Sequence, residues 1–354
     1  MASAGTRLAA LLGALVVALA LGGGPGTTST AASDRMYARS LDGQVGAGPV
    51  RLDRLARISA TWRGGPITTS TGEVVTVLVS DALPAETPEK WAEFLVKLVH
   101  GGELPRLSTT IASLEEVGDI CGSRALGCYR GNEMIAMGEP TIDGTTPEEV
   151  VRHEYGHHVG FHRLNTPWPA IDWGPKRWAS TASVCGKVAR RQAFPGDGDR
   201  NYAQNPGEAW AEVYRVMDER KAGITTNAWP IIVESFYPNE AALAAAEQDV
   251  LRPWTKNRTA TYRRTFRKQT KKPWWISVQT PLDGQLKLSA LLPRQGEFEV
   301  ALIGSNRRSV LKRAQWLGQR VKRTATTVCG QRSLFVRVTP KQSAGRVTVT
   351  LSAP

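Results

Sequence analysis

His153-Glu154-Tyr155-Gly156-His157 is the stretch on which the reading of the fold turns. Residues four apart on an α-helix project from one face, so the two histidines can grip one metal ion from consecutive turns. Glu154, one step past the first histidine, then lies beside a water on the ion and not on the ion itself. These are the residue types and the spacing of a water-activating zinc site. The pattern is short, and its weight comes from what surrounds it.

Just upstream, Thr146-Pro147-Glu148-Glu149 is a helix start. Thr146 suits the N-cap, Pro147 the first helical position, and Glu149 the third, which completes a capping box. Val150, Val151 and Tyr155 follow without a breaker, which places the motif inside a helix. Gly156 weakens that helix by about 1 kcal/mol relative to alanine, but lets a neighbouring backbone come close to the metal. The chain has five histidines, and four of them crowd into Val151–His162. His158 and His162 point away from the His153/His157 face if the helix continues. Arg163 stands where a third histidine ligand of the metzincin pattern would fall, and no histidine follows His162. A third protein ligand from downstream is therefore a carboxylate.

Asn205-Pro206-Gly207-Glu208-Ala209-Trp210-Ala211-Glu212 supplies two candidates four residues apart on a second expected helix. One would complete the metal site. The other would accept a hydrogen bond from a ligating imidazole and fix its tautomer. Asn205 with Glu208 also reads as a capping box, in which case Glu208 closes the helix end and Glu212 is the ligand.

The pair of motifs resembles the gluzincin zinc peptidases, and the run from Asn205 to Met217 is similar to the corresponding helix of anthrax-lethal-factor-type metalloproteases. The similarity is confined to these two helices. It implies a zincin-like α+β catalytic domain, Zn2+ held by His153, His157 and Glu208, Glu212 behind a ligating imidazole, and Glu154 as general base. Tyr202 resembles a tyrosine that donates to the oxyanion in that group; the alternative is a loop tyrosine packed under the helix. The activity so implied is hydrolysis of peptide or protein substrates. An amidase acting on peptidoglycan cross-links, or a binding protein that keeps the metal without turnover, would carry the same residues.

The N-terminus reads as a secretory signal. Arg7 is the only charge in the first 33 residues, Leu8 to Leu21 is apolar, and small residues follow, with cleavage after Ala20 or near Ala32. No later run approaches a membrane span. The expected product is secreted and extracellular. Four cysteines in an exported chain point to two disulfides with three possible connectivities. Cys121 and Cys128 flank a six-residue turn and are expected to pair, leaving Cys185 for Cys329.

Charge is placed unevenly. Residues 1–251 hold 23 Lys+Arg and 29 Asp+Glu, a net of −6, whereas residues 252–354 hold 22 against 3, a net of +19. Such asymmetry suggests that the tail meets an anionic cell-wall polymer or membrane surface; a solvated basic surface is the alternative. Aromatic residues interleave with the nine basic residues of Arg252–Lys272, but no nucleic-acid-binding motif accompanies them, so no specific nucleic acid is expected.

The expected organisation is a signal peptide at 1–32, a linker or short pro-segment at 33–60, the catalytic domain at 61–251, a basic linker at 252–272 and a small β-sandwich accessory domain at 273–354. Within the catalytic part, Glu73–Ser80 reads as a buried strand and Pro88–His100 as an amphipathic helix. Met134–Met137 reads as a strand, either the edge along which an extended substrate pairs or an ordinary core strand. After Pro273 the pattern alternates, as in Leu286, Leu288, Ala290 and Leu292, the mark of half-buried strands.

Overall fold

The computed structural model describes residues 62–354, apart from 142, 295, 318–320 and 342. The expected signal peptide and the 33–60 segment lie outside the described residues.

The chain opens with an antiparallel pair, β1 (Trp62–Thr68) and β2 (Val74–Ser80), turned at Gly72. Helix α1 (Pro88–Leu95) starts at the N-cap Thr87. It ends earlier than the amphipathic pattern predicts. Val99 N–H donates instead to Asp218 Oδ1 (2.6 Å), and Val99 O accepts from the Tyr214 hydroxyl (2.8 Å), so tertiary partners take the groups a longer helix would use. Strand β3 (Ser108–Ala112), helix α2 (Leu114–Cys121) and the pair β4 (Gly127–Arg130) and β5 (Glu133–Met137) complete a five-stranded mixed sheet, ordered β1-β2-β3-β5-β4. β2, β3 and β5 run parallel, and β4 returns antiparallel on β5.

Met134–Met137 is thus an inner strand, paired on both sides, because β4 folds back over it. Among the described residues the outer position belongs to β4.

Helix α3 (Pro147–Phe161) carries the histidine motif, and its capping box forms as expected: Thr146 Oγ1 accepts from Glu149 N–H, and Glu149 accepts from Thr146 N–H. Nearly every residue of α3 is buried, so it runs through the core and not over the surface. The short pair β6 (Leu164–Asn165) and β7 (Trp168–Pro169) follows, then α4 (Ala170–Trp173), α5 (Lys176–Thr181), α6 (Val184–Ala189), the long α7 (Pro206–Lys221) and α8 (Glu240–Leu251). Helix α7 packs along α3. Gly156 makes that closeness possible, since a Cβ there would lie 2.8 Å from Ala211 Cα and 2.9 Å from Ala211 O. Two polar contacts pin the pair: Trp210 Nε1–H donates to Gly156 O (2.7 Å), and buried Arg152 pairs with Asp218 (2.9 Å).

Eight strands follow: β8 (Arg258–Phe266), β9 (Trp274–Gln279), β10 (Gly284–Leu291), β11 (Glu297–Gly304), β12 (Val310–Leu317), β13 (Val321–Val328), β14 (Ser333–Lys341) and β15 (Gly345–Ala353). They form two four-stranded antiparallel sheets, β13-β10-β15-β8 and β12-β11-β14-β9, whose inner faces enclose one apolar core around Phe298, Leu288, Val336 and Val349. The expected basic linker at 252–272 needs correction. Its middle, Arg258–Phe266, is β8, a full edge strand on β15, and Tyr262, Arg264 and Phe266 point to the inner face.

Both disulfides expected from the sequence are present, Cys121–Cys128 (Cα–Cα 5.8 Å) and Cys185–Cys329 (Cα–Cα 5.4 Å). The second joins α6 to the β-rich part. Asp283 N–H donates to Ser180 Oγ (2.9 Å) beside it, and Lys176 Nζ, wholly buried, donates to Thr166 O (2.7 Å). No helix among the described residues is long and apolar enough to cross a membrane.

Candidate metal centre

The two helices bring His153, His157 and Glu208 together, with one ligand atom of each inside a 4.8 Å group. His153 Nε2 lies 3.4 Å and His157 Nε2 3.3 Å from the same oxygen, Glu208 Oε2. Ligand atoms about 2.0–2.1 Å from a tetrahedral ion stand about 3.3 Å apart, and these two separations match that spacing. They are not good hydrogen bonds. His153 Nε2, both His157 nitrogens and Glu208 Oε1 have no hydrogen-bond partner among the described residues, although all are buried. An unsatisfied buried polar atom costs about 1–3 kcal/mol, and two such nitrogens, His153 Nε2 and His157 Nε2, facing one carboxylate oxygen fit a metal ion.

The electrostatics also ask for positive charge. Burial disfavours charge on His153, yet Glu208 and Glu212 hold its pKa up at about 9. Burial likewise works against the Glu208 carboxylate, but the two imidazoles bring it down to about 2. Asn205 caps α7 through Gly207 N–H (3.0 Å), so Glu208 is not needed to close the helix end and faces the histidines.

Glu154 is fully buried, and neither carboxylate oxygen has a hydrogen-bond partner among the described residues. Burial pushes its pKa up to about 7. Gly127 leaves the room: a Cβ there would meet Glu154 Cγ at 3.0 Å and Val150 Cγ1 at 2.8 Å. Glu154 is thus held unpaired beside the ligand cluster, on the side of the outer strand β4.

Glu212 Oε2 faces His153 Nδ1 at 3.4 Å, the ring nitrogen turned away from Glu208. Its own oxygens are fixed by Arg215 Nε–H (3.0 Å), Arg215 Nη2–H (2.6 Å) and the backbone N–H of Trp229 (2.6 Å). Arg215 also bonds Glu219 and lies over the Trp229 ring, which stacks on His153 (5.6 Å). Neither Arg215 nor Trp229 was singled out from the sequence. The i, i+3 spacing of Glu212 and Arg215 was the available signal for one, and nothing local signals the other.

The Tyr202 hydroxyl donates to Glu208 Oε2 (2.8 Å), the oxygen that faces both imidazoles. It is therefore part of the cluster, bonded to a ligand. His158 and His162 turn away, as their helix positions require. His158 bridges Tyr129 Oη (3.1 Å) and Glu103 O (3.0 Å), and burial lowers its pKa to about 4, a satisfied neutral core histidine.

No protein-family model and no curated protein matches this chain. Matches among solved structures are remote. A mitogen from Yersinia pseudotuberculosis is 13% identical over 28% of this chain and 87% of its own, with a TM-score of 0.21. The Tobacco streak virus coat protein is 10% identical over 27% of this chain and 87% of its own, at 0.15. A GH115 4-O-methyl-α-glucuronidase, BtGH115A, is 10% identical over 58% of this chain and 38% of its own, at 0.20. Likeness this slight carries no argument about fold or function.

Proposed function

We propose that this chain is an exported zinc-dependent endopeptidase, with a zincin-like catalytic unit of gluzincin type ahead of the β-sandwich. The observation that carries the reading is the pair of 3.3 and 3.4 Å separations of two orphaned imidazole nitrogens from one Glu208 oxygen, with a second, unpaired carboxylate beside them. Two imidazoles and one carboxylate are the donor set of a catalytic zinc site with an open fourth position. An ion held there polarises a carbonyl and acidifies water.

The chain's own residues supply the rest. Glu154, with a pKa raised to about 7, takes a proton from the attacking water and hands it to the leaving amine. Glu212, gripped by Arg215, holds the His153 ring so that Nε2 faces inward. An extended peptide would add to the outer edge of β4, the strand whose Gly127 lies against Glu154. The two disulfides accord with an oxidising, extracellular compartment.

The test is Glu154→Gln. Metal analysis should find one zinc per chain in wild type and variant alike, while cleavage of a mixed peptide library falls about 10²–10⁴-fold. Wild-type turnover by the variant, or protein that takes up no zinc, defeats the proposal. Parallel digestion of casein and of purified cell wall separates an endopeptidase from a cross-link amidase.

A further inference from the structure

The two sheets of the C-terminal part present unlike outer faces. On β12-β11-β14-β9, Glu299 is paired with Arg337 (2.9 Å) and Arg313 (3.7 Å), and Trp275 packs edge-on against Phe335. Asp283, buried where the two parts of the chain meet, is paired with Arg332 (2.5 Å). Glu297 begins β11 of the same sheet as Glu299. These three are all the acids of residues 252–354.

The outer face of β13-β10-β15-β8 therefore carries none. Register places Arg323, Lys287, Arg346 and Arg263 on it, one from each strand, with Leu288, Val349 and their row on the opposite side. Between the cations stand hydroxyls: Thr259, Thr261, Ser289, Thr348, Thr350 and Ser352. Arg323, Lys287, Arg346 and Arg263 are all exposed. At about 3.3 Å per residue and about 4.8 Å between strands, the grid is roughly 25 Å long and 15 Å wide.

We infer that this face is a docking surface for a linear polymer with a phosphodiester in each repeat and hydroxylated spacers between. Four exposed cations, none in an ion pair among the described residues and spread over four strands, match a repeating charge and not a single anion, and the hydroxyls can donate to phosphate oxygens or to the spacer. Nucleic acid fits less well, because the face offers no aromatic side chain on which a base could stack. A lipid surface fits less well too, since its exposed apolar side chains are confined to one corner, at Leu291 and Val321. The metal site plays no part in this inference.

The experiment is binding of the full chain to immobilised poly(glycerol phosphate). Contact with four phosphates predicts a loss of about 50-fold in affinity between about 50 and 200 mM salt, taking a slope of about 0.7 per phosphate. The triple variant Lys287→Glu, Arg323→Glu, Arg346→Glu should lose at least about tenfold at low salt, as each removed cation forfeits a contact. A charge-matched control on the other sheet and its loops, Arg307→Glu, Arg308→Glu, Lys341→Glu, should bind as wild type. If the Glu triple fails to fold, the three Gln substitutions take its place. Equal losses in test and control, no loss in either, or tighter binding to duplex DNA or to phosphatidylglycerol vesicles would each overturn the assignment. Binding needs no hydrolysis, so an inert metal site leaves this result readable.

Discussion

Tyr202 and Glu208 are six residues apart, yet the tyrosine hydroxyl reaches the one carboxylate oxygen that both His153 and His157 face, at 2.8 Å. A phenol in this place orients the carboxylate. Tyr202→Phe removes that donor and keeps the buried ring, so the fold should persist while metal affinity falls about tenfold. Competition against a chromophoric chelator measures it. Unchanged affinity with a depressed kcat would instead make Tyr202 a donor to the reacting substrate.

Arg215 satisfies two buried carboxylates, Glu212 and Glu219, at once. In Arg215→Met both are left without their cation, and loss of one partner from a buried ion pair costs about 3–5 kcal/mol. Urea unfolding should show that loss, and the loosened Glu212 should weaken metal retention. A midpoint equal to wild type would mean that water reaches this cluster.

Gly156→Ala sets two effects against each other. Alanine favours the helix by about 1 kcal/mol, but its Cβ would sit within 3 Å of Ala211 Cα and O. Those are backbone atoms and cannot swing aside, and overpacking of this kind costs about 1–3 kcal/mol. The expected result is a lower Tm. A higher one would show that α3 and α7 separate freely.

Lys176 predicts a pH effect. Burial lowers its pKa to about 8, although Asp283 and Asp249 act to raise it. An unfolded lysine titrates near 10.4. Between those values the unfolded chain holds the proton and the folded chain does not, so this group makes stability rise as pH goes from about 8 to about 10. The wild-type minus Lys176→Met difference in stability, read by denaturant midpoints, should therefore rise with pH across that range, since the variant lacks this titration. A flat or falling difference curve would mean that Lys176 stays charged when folded.

Much of the candidate centre was legible because it is local. Thr146-Pro147-Glu149 marks a helix start by itself, and the spacing of His153 and His157 sets both on one face of the helix that follows. The paired cysteines could be read for the same reason in the 121–128 turn, and by elimination for 185 and 329. What could not be read is tertiary. Trp229 reaches His153 only because the segment after α7 folds back, and nothing in its neighbours announces that. Strands β8, β12 and β13 were hidden because each lies at a sheet edge, where Lys, Arg and Thr are tolerated at many positions and the alternation of apolar residues is diluted. The inner strands β10 and β14 keep that alternation and were visible.

The Cys185–Cys329 bridge has a mechanical corollary. Together with the Asp283–Ser180 hydrogen bond it bolts the end of the sandwich to the helical part, where a bare connecting segment would leave it swinging. Whatever held the sandwich would thereby also set the bearing of the histidine cluster. The two parts are joined as a bracket and not a leash, so on the proposed reading a substrate would be met at a set height and angle above the polymer that holds the sandwich.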